Sequence, residues 1–241
     1  MINTILFDLD GTLLPLDEDQ FINIYFTKIG ETFSKQGFDK KKFVEAVWIG
    51  TKAMVENDGV HSNEIVFWDT FQKLISCDLN ALQQDFLEFY QTHFDEVRNS
   101  VNPSIFAKKC IDLLKKKGYR IGLATNPLFP QIATFKRIAW AGLKTSDFEI
   151  ITTYENSNFA KPNLKYFETI FTKLNVTPSE CLMVGNDASE DMIIESLGAS
   201  TFLLTDCLNN HKGVDISLYE HGSFEELYVF LSNLPDLEAK K

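Results

Sequence analysis

The apolar positions at the start of the chain gather in a short β-prone run, Thr4 to Phe7, which breaks off at two acids, Asp8 and Asp10, followed by Gly11 and Thr12. From about Asp17 to Arg98 the pattern turns helical, aromatic-rich and free of proline, with breaks at Gly37, at Asn57-Asp58-Gly59 and over Ser76 to Asn80. Phe86, Phe89, Tyr90 and Phe94 recur three and four positions apart, which places them along one face of a helix. This span is expected to form a bundle of about four helices.

From Asn102 onward the period alternates between helix and strand. Asn102-Pro103 offers a helix cap followed by proline at the first helical position. The helix it opens runs to Lys115-Lys116-Lys117 and stops at Gly118, with its cations at the negative end of the helix dipole. Tyr119 to Thr125 reads as a strand. A helix ending near Gly142 follows, then a strand over Phe148 to Thr153 and a helix from about Asn163 to Leu174. Cys181 to Val184 reads as a buried strand, the helix after it closes at Gly198, and Ser200 to Leu204 gives one more strand. Pro235 to Lys241 is expected to be a frayed tail. Strands alternating with single helices predict right-handed crossovers and a parallel sheet. The fold class is therefore α/β: a Rossmann-like, three-layer parallel-sheet core with an all-helical insertion after its first strand. The core takes residues 1–16 and 99–241, and the insertion takes 17–98.

Composition adds limits. Of 241 residues, 44 % are hydrophobic, enough for a buried core, and the 21 phenylalanines are expected to serve chiefly as packing. A formal charge of −11 repels nucleic acid and anionic membranes, so neither is an expected partner. Any anionic substrate then needs a local cation, helix terminus or metal. Cys77, Cys110, Cys181 and Cys207 form no CxxC pair, which argues for free thiols in a reducing compartment. The amino-terminal run lacks a basic start and is interrupted by acids, so it reads as a strand and not as a signal peptide. No stretch approaches the ~18 apolar residues of a membrane helix. A cytoplasmic monomer or weak homodimer is expected.

In an open parallel sheet, ligands bind beyond the carboxyl ends of the strands. The residues there are Asp8 and Asp10, Thr125 and Asn126, Lys161, and Asn186, Asp187 and Asp191. With these residues the chain resembles the haloacid dehalogenase superfamily along nearly its whole length. The first family motif, DxDGT, stands as Asp8-Leu9-Asp10-Gly11-Thr12. The second, a strand-ending Thr or Ser, stands as Thr125. The third is Lys161, followed by Pro162, and the fourth is the acidic pair Asp187 and Asp191. The long interval between Asp10 and Thr125 is where members with a helical cap carry it.

The resemblance implies a phosphatase working through an aspartyl-phosphate. Asp8 would be the nucleophile and Asp10 the general acid and base. Lys161 would neutralise charge on Asp8 and the phosphoryl group, and Thr125 and Asn126 would bind phosphate. Magnesium would be held by Asp8, the Asp10 carbonyl and Asp187. Asn186 stands where many members have aspartate, which makes it the alternative fourth-motif ligand, and Asp191 would orient Lys161 or a metal-bound water. The substrate would be a small phosphorylated metabolite. Dehalogenases do without the second acid, so Asp10 argues for phosphoryl chemistry; a phosphomutase, a dehalogenase and a non-catalytic binding protein are the alternatives. In the helical span, Lys52, Asn57 and His61 are candidate substrate contacts, and Trp48 and Trp68 are expected to be core or interface rings.

Overall fold

The computed structural model describes residues 1–237. Strand β1 (Thr4–Phe7) is wholly buried, so its four side chains are taken up by layers on both faces of the sheet. The chain then leaves the sheet for four helices: α1 (Glu18–Ser34), α2 (Lys40–Val55), α3 (Asn63–Leu74) and α4 (Leu79–Gln91). Each begins on a short polar side chain, Asp17, Asp39, Ser62 or Asp78, that accepts a hydrogen bond from a backbone N–H of the first turn. The breaks between them fall where the sequence places them. A 3₁₀ segment, His93–Ser100, returns the chain to the sheet.

Aromatic packing holds the bundle together. Phe33 stacks on Phe43 with ring centroids 4.3 Å apart, and Phe86 packs against both. Phe94 stacks on Trp140 at 5.3 Å, and Tyr25 meets Phe129 edge-on at 5.3 Å. These contacts join the bundle to the α/β part in one hydrophobic cluster. The two chain crossings between the parts are tied together: Leu16 bridges Val101, and the Asn102 N–H donates to the Pro15 carbonyl at 2.8 Å.

The second part runs α5 (Ile105–Lys116), β2 (Arg120–Leu123), α6 (Gln131–Trp140), β3 (Ile150–Ile151), α7 (Leu164–Leu174), β4 (Cys181–Gly185), β5 (Ser200–Leu204), β6 (His221–Gly222) and α8 (Phe224–Asn233). The sheet is parallel throughout, in the order β3-β2-β1-β4-β5-β6. Chain direction across the sheet reverses beside β1, which places a crevice between the ends of β1 and β4. Phe7 lies level with Leu123 on one side and with Val184 on the other, so Asp8, Ala124 and Gly185 emerge side by side.

Several elements differ from expectation. The cap of α5 is Ser104, two residues past Asn102: the Ser104 hydroxyl accepts from the Phe106 N–H, while Asn102 instead ties the chain crossing to Pro15. The edge strand β3 keeps only two ladder residues of the six expected, since it pairs with β2 alone. The helix before Gly198 is a 3₁₀ stretch, Met192–Leu197, whose approach is bent by side-chain bonds within Asp187–Asp191. Helix α8, opened by a capping box of Ser223 and Glu226, and the short β6 beside it lie between Leu204 and the expected tail at Pro235, where no element is predicted. Of that tail, Pro235 and Leu237 are tied down: Tyr119 donates to the Pro235 carbonyl and the Leu237 N–H to the Lys117 carbonyl. Residues 238–241 lie outside the described residues. All four cysteines are free, and no helix among the described residues is long and apolar enough to cross a membrane.

Candidate active site

The crevice opens into a cavity of about 520 Å³. All eight residues singled out at strand ends line it: Asp8, Asp10, Thr125, Asn126, Lys161, Asn186, Asp187 and Asp191. Its outer wall comes from α1 and α2.

Asp8 is the first residue past β1 and is pinned by its N–H, which donates to the Val184 carbonyl at 2.9 Å. Its Oδ1 accepts from Lys161 Nζ at 2.9 Å, while no protein group among the described residues donates to Oδ2. Lys161 Nζ also donates to Asp191 Oδ1 at 2.6 Å. Burial works to lower the pKa of Lys161, but Asp191 and Asp8 outweigh it and hold it well above the ordinary value. Burial likewise pushes the Asp191 carboxyl up to about 7, against the pull of Lys161. With two carboxylates on one ammonium, the charged lysine is the form the geometry favours.

Asp191 Oδ2 accepts from the Asp187 N–H at 3.0 Å, which couples the lysine to the loop after β4. That loop needs Gly185: a Cβ there would lie 2.1 Å from Asp191 Oδ2. Asp187 Oδ1 accepts from Ser189 and Glu190 N–H groups and the Ser189 hydroxyl, leaving Oδ2 without a protein donor among the described residues. The Asn186 amide is engaged at both ends, accepting from the Thr12 hydroxyl at 2.9 Å and donating to the Cys207 carbonyl at 2.8 Å. Gly11, at φ +81°, makes room for it, since a Cβ would come within 2.3 Å of Asn186 Nδ2.

Thr125 is buried at the end of β2, and its carbonyl is fixed by the hydroxyls of Thr152 (2.7 Å) and Tyr166 (2.9 Å). The Asn126 side chain joins two motifs, accepting from the Lys161 N–H and donating to Glu190 Oε2. The side chain of Asn126 is thus engaged within the protein at both its oxygen and its nitrogen. Glu190 lines the cavity too, and burial pushes its carboxyl up to about 7.

The residue that sequence reasoning misses is Arg137. Its side chain, 1 % exposed, comes from α6 behind the crevice, and its guanidinium forms an ion pair with Asp10 Oδ2. The same guanidinium stacks over the Phe129 ring at 4.5 Å and meets Thr134 Oγ1 at 3.3 Å. Asp10 keeps 31 % of its side-chain surface open, but at the floor of the cleft, where protein rather than bulk water surrounds it. Burial raises its pKa, Arg137 opposes that without cancelling it, and Asp8 adds to the rise. Asp10 Oδ1 has no hydrogen-bond partner among the described residues. The sequence does carry a signal for Arg137: it lies on the apolar face of its helix, with Ala133, Thr134, Ile138 and Trp140.

The other candidates separate. Lys52 lines the cavity at its rim, whereas Asn57 is buried and bonds to Asn63 and to the His61 carbonyl. His61 is exposed and does not line the cavity. Trp68 is buried as expected, but Trp48 is 55 % exposed and faces the cavity. Trp48 stays out of the core because the inward face of α2 is already taken by Phe43, Val47 and Met54.

The chain is 25 % identical over 207 residues to the pyrophosphatase PpaX of Bacillus thuringiensis, covering 83 % of this chain and 82 % of the relative. The fold superposes on a 2-haloacid dehalogenase from Pseudomonas syringae with a TM-score of 0.64 and 18 % identity, covering 96 % and 99 % of the two chains. It also superposes on the Bacillus subtilis HAD-hydrolase YfnB, solved with bound magnesium, with a TM-score of 0.56 and 21 % identity, covering 97 % and 99 %. A family model described as haloacid dehalogenase-like hydrolase matches residues 2–193, and with that match spanning strands β1 to β4, the helical insertion and all four motifs, the chain belongs to the haloacid dehalogenase-like hydrolases.

Proposed function

We propose that the chain is a magnesium-dependent phosphatase that hydrolyses a small phosphomonoester through an aspartyl-phosphate on Asp8. Residues 17–98 act as a cap over a core of residues 1–16 and 99–241. Likeness of fold does not choose between phosphatase and dehalogenase, since relatives of both kinds superpose on the chain. The observation that carries the reading is Asp10. A second carboxyl, with its pKa raised by burial and its orientation set by a buried arginine, lines the same cavity as Asp8. A departing halide needs no proton, whereas a departing alkoxide does.

In the first step an oxygen of Asp8 attacks phosphorus, the bond from phosphorus to the leaving oxygen breaks, and Asp10 gives that oxygen its proton. In the second step Asp10, now a carboxylate, takes a proton from water as that water attacks phosphorus, and Asp8 is released. Such a group contributes ~10²–10⁴-fold. Lys161 stands beside Asp8 and balances charge on the phosphoryl oxygens. The Thr125 hydroxyl and the Asn126 N–H receive those oxygens, and Asp191 holds Lys161 in place. Arg137 acts behind the site by positioning Asp10.

The donor set fits magnesium. Asp8 and Asp187 each present an oxygen that no described protein group donates to, at the ends of adjacent strands. Asp8, Asp10, Asp187 and Asp191 face, among the described residues, two buried cations, Lys161 and Arg137, before a dianionic substrate arrives. Among the described residues no three acidic, histidine or cysteine side chains form a metal cluster by themselves; the Asp10 carbonyl is taken as the third protein ligand from the family resemblance. Asp187 is favoured over Asn186 because the Asn186 amide oxygen already accepts from Thr12. When bound, the metal supplies positive charge to the phosphoryl oxygens.

The test is phosphate release from a panel of phosphomonoesters with and without magnesium. Turnover that requires magnesium and is lost in Asp8→Asn supports the proposal. Release that is unchanged by that substitution overturns it.

A further inference from the structure

Only part of the 520 Å³ cavity is needed for a phosphoryl group, so its remaining walls describe the leaving group. Those walls are apolar and largely aromatic. Phe26 and Trp48 meet edge-to-face at 5.5 Å, Tyr25 and Phe129 meet at 5.3 Å, and Ile22 and Val55 fill the gaps between them. Trp48, Ile22 and Val55 are large apolar side chains left substantially exposed on α1 and α2, and all three line this cavity, although Ile22 and Trp48 also border a depression between the outer faces of the two helices. Tyr25 presents its ring and no free hydroxyl, because its OH is paired with the Tyr90 OH at 2.8 Å.

The charges along the same walls point the same way. Among the described residues the cavity is lined by two cations, Lys161 and Lys52. Lys161 is engaged by Asp8 and Asp191. Lys52 is 69 % exposed at the rim and lies 3.6 Å from Glu56. Glu18 and Glu56 line the cavity as well. A second phosphate or a carboxylate on the substrate would meet acidic groups there and no buried cation.

We propose that the substrate is a phosphomonoester of an uncharged, aromatic or bulky apolar alcohol, held between Phe26, Trp48 and Phe129, and that substrates with a second anionic group are disfavoured. This rests on the phosphatase reading above. Asp8 takes the phosphoryl group, the phosphorus–oxygen ester bond breaks, and the apolar alcohol leaves with the proton from Asp10.

The experiment measures kcat/KM with magnesium for 2-naphthylmethyl phosphate, methyl phosphate, glucose 6-phosphate, 2-phosphoglycolate and pyrophosphate, with 4-nitrophenyl phosphate as a reactive control. The naphthylmethyl ester and the sugar phosphate both release a primary alcohol, so a difference between them reflects the pocket and not leaving-group reactivity. The naphthylmethyl ester is expected to exceed glucose 6-phosphate, phosphoglycolate and pyrophosphate by at least about tenfold. Trp48→Ala should lower the selectivity for naphthylmethyl over methyl phosphate by about tenfold, chiefly through KM, and Trp48→Phe should restore most of it. Preference for pyrophosphate, phosphoglycolate or glucose 6-phosphate would overturn this inference and leave the phosphatase reading standing, as would a Trp48→Ala selectivity ratio equal to that of the unaltered protein. No release from any ester, 4-nitrophenyl phosphate included, by folded protein would overturn both.

Discussion

Removing the guanidinium of Arg137 tests how the acid–base group is held. The Arg137→Met side chain keeps most of the volume and none of the charge, so the packing of α6 against Phe129 is largely preserved while Asp10 loses its partner. The size of the effect follows from the geometry. Two unit charges about 4 Å apart interact by about 4 kcal/mol at an effective dielectric constant of about 20. Breaking a buried pair from one side costs about 3–5 kcal/mol, because a buried charge is left uncompensated. Asp10 is about a third open to the cavity, so the lower end of that range applies, about 3 kcal/mol for Arg137→Met. Asp10→Asn leaves the guanidinium over the Phe129 ring with an amide oxygen to donate to, and should cost about 1–2 kcal/mol. The double variant should be less destabilised than the sum of the singles by about 2 kcal/mol, read from urea unfolding at neutral pH. Activity should follow the same pattern: Arg137→Met lowers kcat at least tenfold when Asp10 is present and changes it little in Asp10→Asn. Additive stabilities, within about 0.5 kcal/mol, or equal kcat losses in both backgrounds, would refute the view that Arg137 acts through Asp10.

Other expectations follow from individual contacts. Gly185→Ala would drive a methyl group into Asp191 and displace it from Lys161, costing about 1–3 kcal/mol in unfolding free energy together with most of the activity. Asn63 is fully buried at the start of α3 and donates to the Pro127 and Phe159 carbonyls, seating the helical segment on the core. Asn63→Ala should cost about 1–3 kcal/mol by leaving these carbonyls unpaired and taking from Asn57 one of its hydrogen bonds, measured as a shift in denaturation midpoint. On the far edge of the sheet, the hydrogen bond from Arg120 lowers the pKa of Glu149 below its ordinary 4.5. A lowered carboxylate stabilises the fold above that value and loses its contribution as pH falls through the folded pKa. The difference between the unaltered protein and Glu149→Gln should therefore be about 0.5 kcal/mol at pH 7, small because the pair is half exposed, and should vanish in acid; a difference that grows on acidification would contradict this.

The sequence made five of the six strands and the four helices of the insertion legible because they are written in local terms: capping aspartates and serines, stops at glycine, and periods of two or about 3.6. The strand-end residues were legible as a set, since a parallel sheet brings them together whatever their separation in the chain. Less accessible were features that depend on the far side of a contact. β3 is short because it lies at an edge, and α5 starts late because the Ser104 hydroxyl caps it. The sequence does not show that the Asn126 side chain bridges the Lys161 N–H to Glu190, which leaves its backbone N–H for a phosphate. Trp48 reads as a core or interface ring, and only the orientation of α2 leaves it half exposed on the cavity wall. Arg137 was within reach, being a charged residue on an apolar helical face, but its partner Asp10 is set by tertiary packing alone.

The central claim, a covalent intermediate on Asp8, is tested most directly with Asp10→Asn and 4-nitrophenyl phosphate in the presence of magnesium. 4-Nitrophenolate leaves without needing a proton, so phosphorylation can proceed without Asp10, while attack by water lacks its base and stalls. The account predicts a burst of nitrophenolate equal to the enzyme present and, after acid quenching, one phosphoryl group on the peptide that carries Asp8. Steady release by this variant with no burst, or a phosphoryl group found on any other residue, would contradict it.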